Sequence, residues 1–577
     1  MHRSGTSLVA SFLAASGVGM GERLLAADAR NPRGYFEDAD FVELQGRILR
    51  ECTPSGDGGH PDWGWTEGER IDRDRLPEYR AAARALLDAR AGRAGIWGWK
   101  DPRTTLLLDF WDEILNLRPT GGALHVLPYR LPWEVADSMQ RLGAGVFLDH
   151  PEYAYRIWTF YNRHLLDFYR RHPDRCLLVS TNALLREPGR FAALLSAKLG
   201  LDASGAALES VRDDGLFSTL GASDPLGRLV AAAWPECARL LAELDAAADL
   251  PATGLWDASP PSSTLTPSDT EPVDLSIVIP CYDQGEFLLE AVASAERSYL
   301  EGDREGGPRT ELIVVDDGSR QPRTLEVLGV LRAAGYRVIS QENGGLAAAR
   351  NRGIGEARGR YVLPLDADNR LRPGFPGEAV RVLDGSPEVG VVYGDRWEFG
   401  LRNRRVPASE FDPDKLLWVN FIDACAVLRR EVWARAGGYD AGAAAWEDWE
   451  LWVSAVEQGW GFHRLPSAAG IAFDYRVRPH SMLAERTEEE RQPIREYILA
   501  KHAALYQRRL GKILRLAQLN AAEAHGRVHA LEAERDRLAR ENARLESDLH
   551  WLRRHISFVE GTRAWKLRGL LLKLRGR

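Results

Sequence analysis

ELIVVDDGS (Glu311–Ser319) and, fifty residues further on, YVLPLDADN (Tyr361–Asn369) are apolar runs that stop abruptly on paired carboxylates. Short runs of Val, Ile and Leu read as strands buried on both faces, the kind a parallel α/β sheet contains. Ligands bind such sheets beyond the carboxyl ends of the strands, where these acids fall. Asp366 and Asp368 stand two apart. Side chains at i and i+2 of an extended chain point the same way, so both can face one hard cation, Mg²⁺ or Mn²⁺. An ion held there can bridge a diphosphate and take up charge as that group departs.

The rest of the chain sets this sheet in context. At 577 residues it is too long for one core, so two domains with accessory pieces are expected. A net charge of −8 argues against a general nucleic-acid binder. Cys52, Cys176, Cys237, Cys281 and Cys425 lack the paired spacing of a disulfide framework or zinc site, which fits a reducing, cytoplasmic setting. No apolar run reaches the roughly 18–20 residues that cross a bilayer. The start, MHRSGTSLVASFLAASG, has the basic end and apolar middle of a signal peptide. A phosphate loop with its helix is the competing reading, and downstream motifs support it.

Four segments follow. A largely helical block reaches about Leu250, with strand-like runs at Ala123–Pro128 and Cys176–Ser180. Pro251–Pro272, rich in Pro, Ser and Thr, reads as a linker. From Val273 to about Gln507, strands such as Leu275–Ile279, Glu311–Val315 and Tyr361–Leu365 alternate with helical stretches. Between residues 513 and 560 a heptad pattern takes over. Leu531, Leu538, Leu545, Leu552 and Val559 fall seven apart, interleaved with Val528, Arg535, Asn542, Leu549 and Ile556. This predicts a coiled coil that pairs two copies, Asn542 fixing a two-stranded register; a single amphipathic helix folded back on the chain is the alternative. The last seventeen residues, GTRAWKLRGLLLKLRGR, carry six basic and no acidic residues, a tail suited to peripheral contact with an anionic membrane.

Five ordered motifs identify the second block. LSIVIPCYDQGEFLLEAVAS, LIVVDDGS, ENGGLAAARNRGI, VLPLDADN and GGYDAGAAAWEDWELW together resemble family 2 glycosyltransferases, which have a GT-A fold. The resemblance implies inverting, metal-dependent transfer of a sugar from a nucleotide-sugar to a glycan or glycolipid acceptor. Pro280, Asp283, Asp316, Asp317, Asn343, Gly345 and Asp366 are the expected donor-binding residues, although Asp283 stands where the family usually has Asn. Asp316 and Asp317 also make good turn chemistry. Asp366 and Asp368 are the expected metal pair, with His480 of YRVRPHSM (Tyr475–Met482) as a further ligand. Within WEDWELW, Asp448 is the expected general base and Glu447 its neighbour, though acids in a first helical turn are also favoured by the dipole.

The N-terminal block resembles sulfotransferases that use 3′-phosphoadenylyl sulfate (PAPS). The resemblance rests on HRSGTS, on YRLPWEVADSM (Tyr129–Met139), where Arg130 and Ser138 keep an eight-residue separation, and on WGWKDPRT and NPRGYFED. It implies PAPS binding by Arg3, Ser4, Gly5, Thr6, Ser7, Lys100, Arg103, Arg130 and Ser138, with Glu37 as base. Lys100 and Arg103 can instead form a structural cluster with Asp101. Phosphate loops ordinarily follow a buried strand, and this sequence begins inside the loop. Either the reading frame extends upstream, or the domain lacks its first strand and with it the loop's preorganisation.

The expected fold class is therefore α/β: a P-loop-like sulfotransferase fold, then a GT-A fold, then a helical coiled coil. The leading expectation is a glycosyltransferase whose first domain sulfates the same pathway's product. The alternative is a glycosyltransferase carrying a catalytically silent binding or scaffolding module. An assembly factor with degenerate sites fits the intact acids poorly.

Overall fold

The computed structural model describes residues 1–28, 34–54, 59–60, 65–66, 70–90, 95–116, 123–200, 220–257, 259–268, 270–303, 306–466, 470–480 and 487–561. Met1–Phe411 with Phe421–Lys501 form one compact unit, and Asp412–Asn420 with His502–Arg577 form a second.

Within the first unit, the N-terminal lobe opens with a turn and helix α1 (Thr6–Ala15), followed by α2 (Ala39–Glu51). Gly5 precedes α1 at φ 78°, and a Cβ there would stand 2.4 Å from Thr181 Cγ2. Only glycine meets both conditions. Strands β1 (His125–Tyr129) and β2 (Cys176–Ser180) pair in parallel, and helices α3 (Pro132–Arg141) and α4 (Glu152–Arg171) lie between them in sequence. Pro132 starts α3 at the position where its missing N–H costs nothing. Nearly every residue of that helix is buried, including Glu134, Asp137, Ser138 and Gln140. A buried polar face requires partners, and it finds them on both sides.

The second lobe holds a seven-stranded sheet. In chain order its strands are β3 (Leu275–Cys281), β4 (Thr310–Asp316), β5 (Arg337–Ser340), β6 (Tyr361–Pro364), β8 (Val389–Tyr393), β11 (Val427–Arg429) and β12 (Gly461–Arg464), arranged 12-8-11-6-3-4-5. The 6-3-4-5 half is parallel, and β11 runs antiparallel to both β6 and β8. A four-stranded sheet adds β7 (Arg370–Leu371), β9 (Asp395–Gly400), β10 (Arg404–Val406) and β13 (Ile471–Val477). Helices α5 (Glu286–Ser298), α6 (Pro322–Ala333), α7 (Leu346–Gly355) and α8 (Glu447–Glu457) complete the lobe. β3 and β4 are buried at every position, as runs without polar alternation must be. β3 continues through Pro280, read from sequence as its end, to Cys281 opposite Asp316.

The two lobes share one core. A single apolar cluster runs from Phe41, Trp111 and Trp158 to Ile277, Val314 and Leu363. Pro251–Pro272, read as a linker, packs on both lobes: Ala252 N–H and Trp256 Nε1 donate to Asp245 of the first, while Leu265 is buried against the second, its carbonyl accepts from Leu312 N–H, and Thr264 bonds Glu296. The cysteines are all unpaired and buried.

In the second unit, helix α9 (Ala503–Gly561) packs at its start on the short helix Pro413–Trp418, with Arg509 paired to Asp414 at 2.7 Å. Beyond that contact Leu531, Leu538, Leu545, Leu549 and Leu552 are 48–70% exposed, an apolar stripe along a charged helix. The side chains of Ile556 and Val559, and the basic tail from residue 562, lie outside the described residues. No described helix is long and apolar enough to cross a membrane.

Candidate active site

Beyond the carboxyl ends of β3, β4 and β6, parallel pairing aligns the acid-bearing loops. The hub is Arg350. It is fully buried on α7, with Nη2 2.7 Å from Asp366 Oδ1 and Nη1 2.6 Å from Glu447 Oε1. It also lies over the Tyr439 ring at 5.4 Å. Burial opposes its charge, yet Asp366 and Glu447 more than compensate and strengthen its hold on the proton. One guanidinium thus ties the carboxylate pair after β6 to the acidic start of α8, 97 residues away.

Asp448 is next to Glu447 at the first turn of α8, and its carboxylate accepts from Trp449 N–H at 2.7 Å. Burial and the Glu447 charge push its pKa up to about 7, with Arg350 pulling the other way. Asp368 pairs with Arg478 at 2.8 Å, and burial raises its carboxyl from the ordinary range. Asp423, which sequence reasoning missed, lies in the same field; burial raises it, Arg396 opposes and Asp366 reinforces. Its surroundings, NFIDACAV, carry no local signal, because what matters is the fold bringing it near Asp366.

Several expected donor residues have structural duties. Asp317 accepts from Gly344 N–H at 2.9 Å, Gly345 N–H at 2.8 Å and the Gln341 amide at 2.7 Å. It therefore closes the Asn343–Gly345 turn that starts α7. Asp316 accepts from Ser319 N–H and Ser340 Oγ. Asp283, at φ 51°, accepts from Arg320 N–H and Gln321 N–H at 2.8 Å each. Asn343, Gly344 and Gly345 are exposed at the mouth of this region. Asn351 latches the Gly437–Tyr439 turn, accepting from Tyr439 N–H and donating to its carbonyl.

For a divalent ion the donor chemistry fits. Mg²⁺ and Mn²⁺ take one or two carboxylates and complete their shell with phosphate oxygens and water, and Asp366 and Asp368 offer hard oxygens of that type. Among the described residues no three His, Cys, Asp or Glu side chains converge as a ligand set, so His480 is not brought in as a third ligand; it is exposed after β13.

A second cluster forms in the N-terminal lobe. Arg3 Nε donates to Ser138 Oγ at 2.8 Å, and Arg130 Nη1 lies 3.5 Å from the Arg3 carbonyl while its Nε holds Glu134 at 2.8 Å. Lys100 Nζ lies 3.2 Å from Ser7 Oγ and 2.5 Å from Glu37. Burial raises the Glu37 carboxyl, with Lys100 opposing. Ser4 is buried and its hydroxyl has no hydrogen-bond partner among the described residues. Arg3, Ser4, Gly5, Thr6, Ser7, Lys100, Arg130 and Ser138 are thus gathered about the start of α1. Arg103 instead grips Asp101 at 2.9 Å, the structural pairing that sequence left open.

Residues 276–435 match the family model described as Glycosyl transferase family 2. The second lobe carries a family 2 glycosyltransferase domain. The chain is 26% identical over 253 residues to glycosyltransferase GlyG of Streptococcus pneumoniae, covering 42% of this chain and 73% of that one. It is 32% identical over 177 residues to the O-antigen biosynthesis protein RfbC of Myxococcus xanthus, covering 29% of this chain and 13% of RfbC. The chain thus spans only a small part of RfbC's length. Among solved structures, S. aureus TarS in complex with UDP-GlcNAc aligns at TM-score 0.33 and 18% identity, covering 39% of this chain and 66% of that one.

Proposed function

We propose that the second lobe transfers a sugar from a nucleotide-sugar to a hydroxyl of a glycan or glycolipid, with inversion and with Mg²⁺ or Mn²⁺. The convergence of Asp366, Glu447 and, beside it, Asp448 on one buried arginine carries this reading. Asp366 and Asp368 would hold the divalent ion, which when bound would neutralise charge on the departing diphosphate. Asp448 accepts the acceptor's proton as its oxygen bonds the anomeric carbon. The bond from that carbon to the diphosphate oxygen breaks on the opposite face, and its electron pair leaves with the nucleotide. Glu447 is held by Arg350, and its charge raises the proton affinity of Asp448. Donor contacts come from the loops of Pro280, Asp283, Asp316, Asp317, Asn343 and Gly345, mostly through backbone that these side chains pin. Incubation with a panel of nucleotide-sugars and glycan or glycolipid acceptors tests this. The expected result is metal-dependent release of one nucleoside diphosphate with a matching glycosylated product; no turnover with any donor contradicts it.

For the first lobe, the gathering of Arg3, Lys100, Arg130 and Ser138 supports an anion-binding module. PAPS-dependent sulfation of the same pathway's product, with Glu37 as base, is its catalytic extension. A silent module is the alternative. Lys100 already neutralises Glu37. Adenosine 3′,5′-bisphosphate is expected to bind, and Arg130→Ala to weaken it about 10- to 100-fold through loss of a charge-assisted contact. Undiminished binding by the variant would remove Arg130 from the site.

The exposed leucine stripe of α9 supports pairing of two copies. Truncation after about residue 510 is expected to halve the mass seen by light scattering, and an unchanged mass would contradict the pairing. Peripheral membrane contact through the basic tail rests on composition alone.

A further inference from the structure

The acidic and amide face of α3, in the first lobe, is buried against the second. Gln140 is its centre: Oε1 accepts from Arg370 Nη2 at 3.1 Å and from Arg476 Nη1, and Nε2 donates to Glu290 Oε1 at 2.9 Å. Glu290 Oε2 in turn takes Arg370 and Arg476, each at 2.5 Å, and Asp137 takes Arg370 at 2.5 Å. Arg141 adds a second cation to Asp137 at 2.9 Å, and one neutral amide joins the Arg370, Arg476 and Glu290 groups by giving and accepting at once. The Arg476 side chain is 0% exposed, and its guanidinium lies over the rings of Phe287 at 4.2 Å and Phe399 at 4.5 Å. No water can replace a lost partner there without repacking.

Arg476 faces the carboxylate pair with its remaining donors. Its Nε donates to the Asp368 carbonyl at 2.9 Å, and its backbone N–H donates to Asn369 Oδ1 at 3.1 Å. The peptide that carries the Asp368 carboxylate is thus fixed by a guanidinium whose direction Gln140 and Glu290 set. We propose that Gln140 is a positioning residue for the sugar-transfer site: through Arg476 it holds the Asp368 peptide where its carboxylate meets a divalent cation. This rests on the reading of Asp366 and Asp368 as the cation's ligands. It makes the first lobe a structural part of the second lobe's site whatever the first lobe binds.

Residues that orient metal ligands commonly change metal affinity 10- to 100-fold when altered. Gln140→Leu keeps the side chain's bulk and removes both hydrogen-bonding functions. Asp224→Asn is the control, since Asp224 pairs with Arg297 across the same lobe interface (2.8 Å) without touching Asp368. Mn²⁺ affinity is measured on the full chain by electron paramagnetic resonance, with and without UDP, GDP or dTDP. Amide hydrogen exchange at residues 368–370 is followed in metal-free protein. Gln140→Leu is expected to weaken Mn²⁺ about tenfold and to speed exchange at those amides, while Asp224→Asn changes neither. Unchanged Mn²⁺ affinity in Gln140→Leu overturns the proposal alone, and so does an equal loss in Asp224→Asn, which means general loosening of the interface. Failure of the unsubstituted protein to bind Mn²⁺ overturns the cation reading and the proposal with it.

Discussion

Asp448→Asn is expected to abolish sugar transfer while leaving nucleotide binding intact, and to make the folded protein more stable at pH 8. The first effect follows from the loss of a proton acceptor, worth about 10²–10⁴ in rate. The second follows from linkage. Asp448 holds its proton up to about 7 when folded, against an ordinary value of 3.8. Between those values the folded state carries a proton that the unfolded state has lost, so the residue's contribution to stability falls as pH rises. Above about pH 7 the wild-type carboxylate is ionised beside Glu447, and asparagine removes that repulsion. The gain is on the order of 2 kcal/mol at pH 8, because the side chain keeps some access to solvent, and it vanishes below pH 4. Wild-type turnover should rise with pH through about 7 and then level. Melting curves of both proteins at pH 4 and pH 8 check the sign. A variant that turns over normally, or that is less stable at pH 8, contradicts the assignment.

Arg350→Met is expected to be the most damaging single change in the second lobe. It removes the only described partner of Glu447, a carboxylate only 5% exposed, and also releases Asp366. Breaking one side of a buried pair costs about 3–5 kcal/mol, because the remaining charge is stranded. Melting is expected about 3–5 °C lower at pH 7. Since Arg350 also lowers the pKa of Asp448, any residual activity should need a higher pH than wild type. Arg350→Lys should recover part of the stability but not the two-sided link, since a point charge cannot hold both carboxylates with planar geometry. Thermal scans of the three proteins at pH 7 check this, and an unchanged melting temperature in Arg350→Met would contradict the pairing.

Much of this was legible before any coordinates. The parallel strands announce themselves because LSIVIPC, LIVVD and YVLP contain no polar alternation and stop on turn or acid residues. The start of α8 is legible because three acids in one turn between tryptophans suit a helix N-terminus whose other flank is core: Trp449 and Trp452 are indeed buried. What sequence does not disclose is which carboxylate pairs with which cation. Asp317 looked like a ligand contact, yet it closes a turn on Gly344 and Gly345. Glu447 and Asp448 are adjacent in sequence and opposite in circumstance, one neutralised by Arg350 and one left basic, a difference set by a residue about a hundred positions earlier. The Pro/Ser/Thr-rich segment looked to have little to bury, yet Ala252 and Leu265 both lie in the core. The Gln140 network joins residues separated by as many as 336 positions, and no local pattern encodes such a contact.

The central claim is a nucleotide-sugar site at the ends of β4 and β6. Calorimetric titration of the full chain with UDP, GDP and dTDP, each with and without Mn²⁺, tests it most directly. One diphosphate should bind, with affinity that depends on Mn²⁺ and is lost in Asp366→Ala. Binding of none of the three, or binding indifferent to both Mn²⁺ and Asp366, would contradict it.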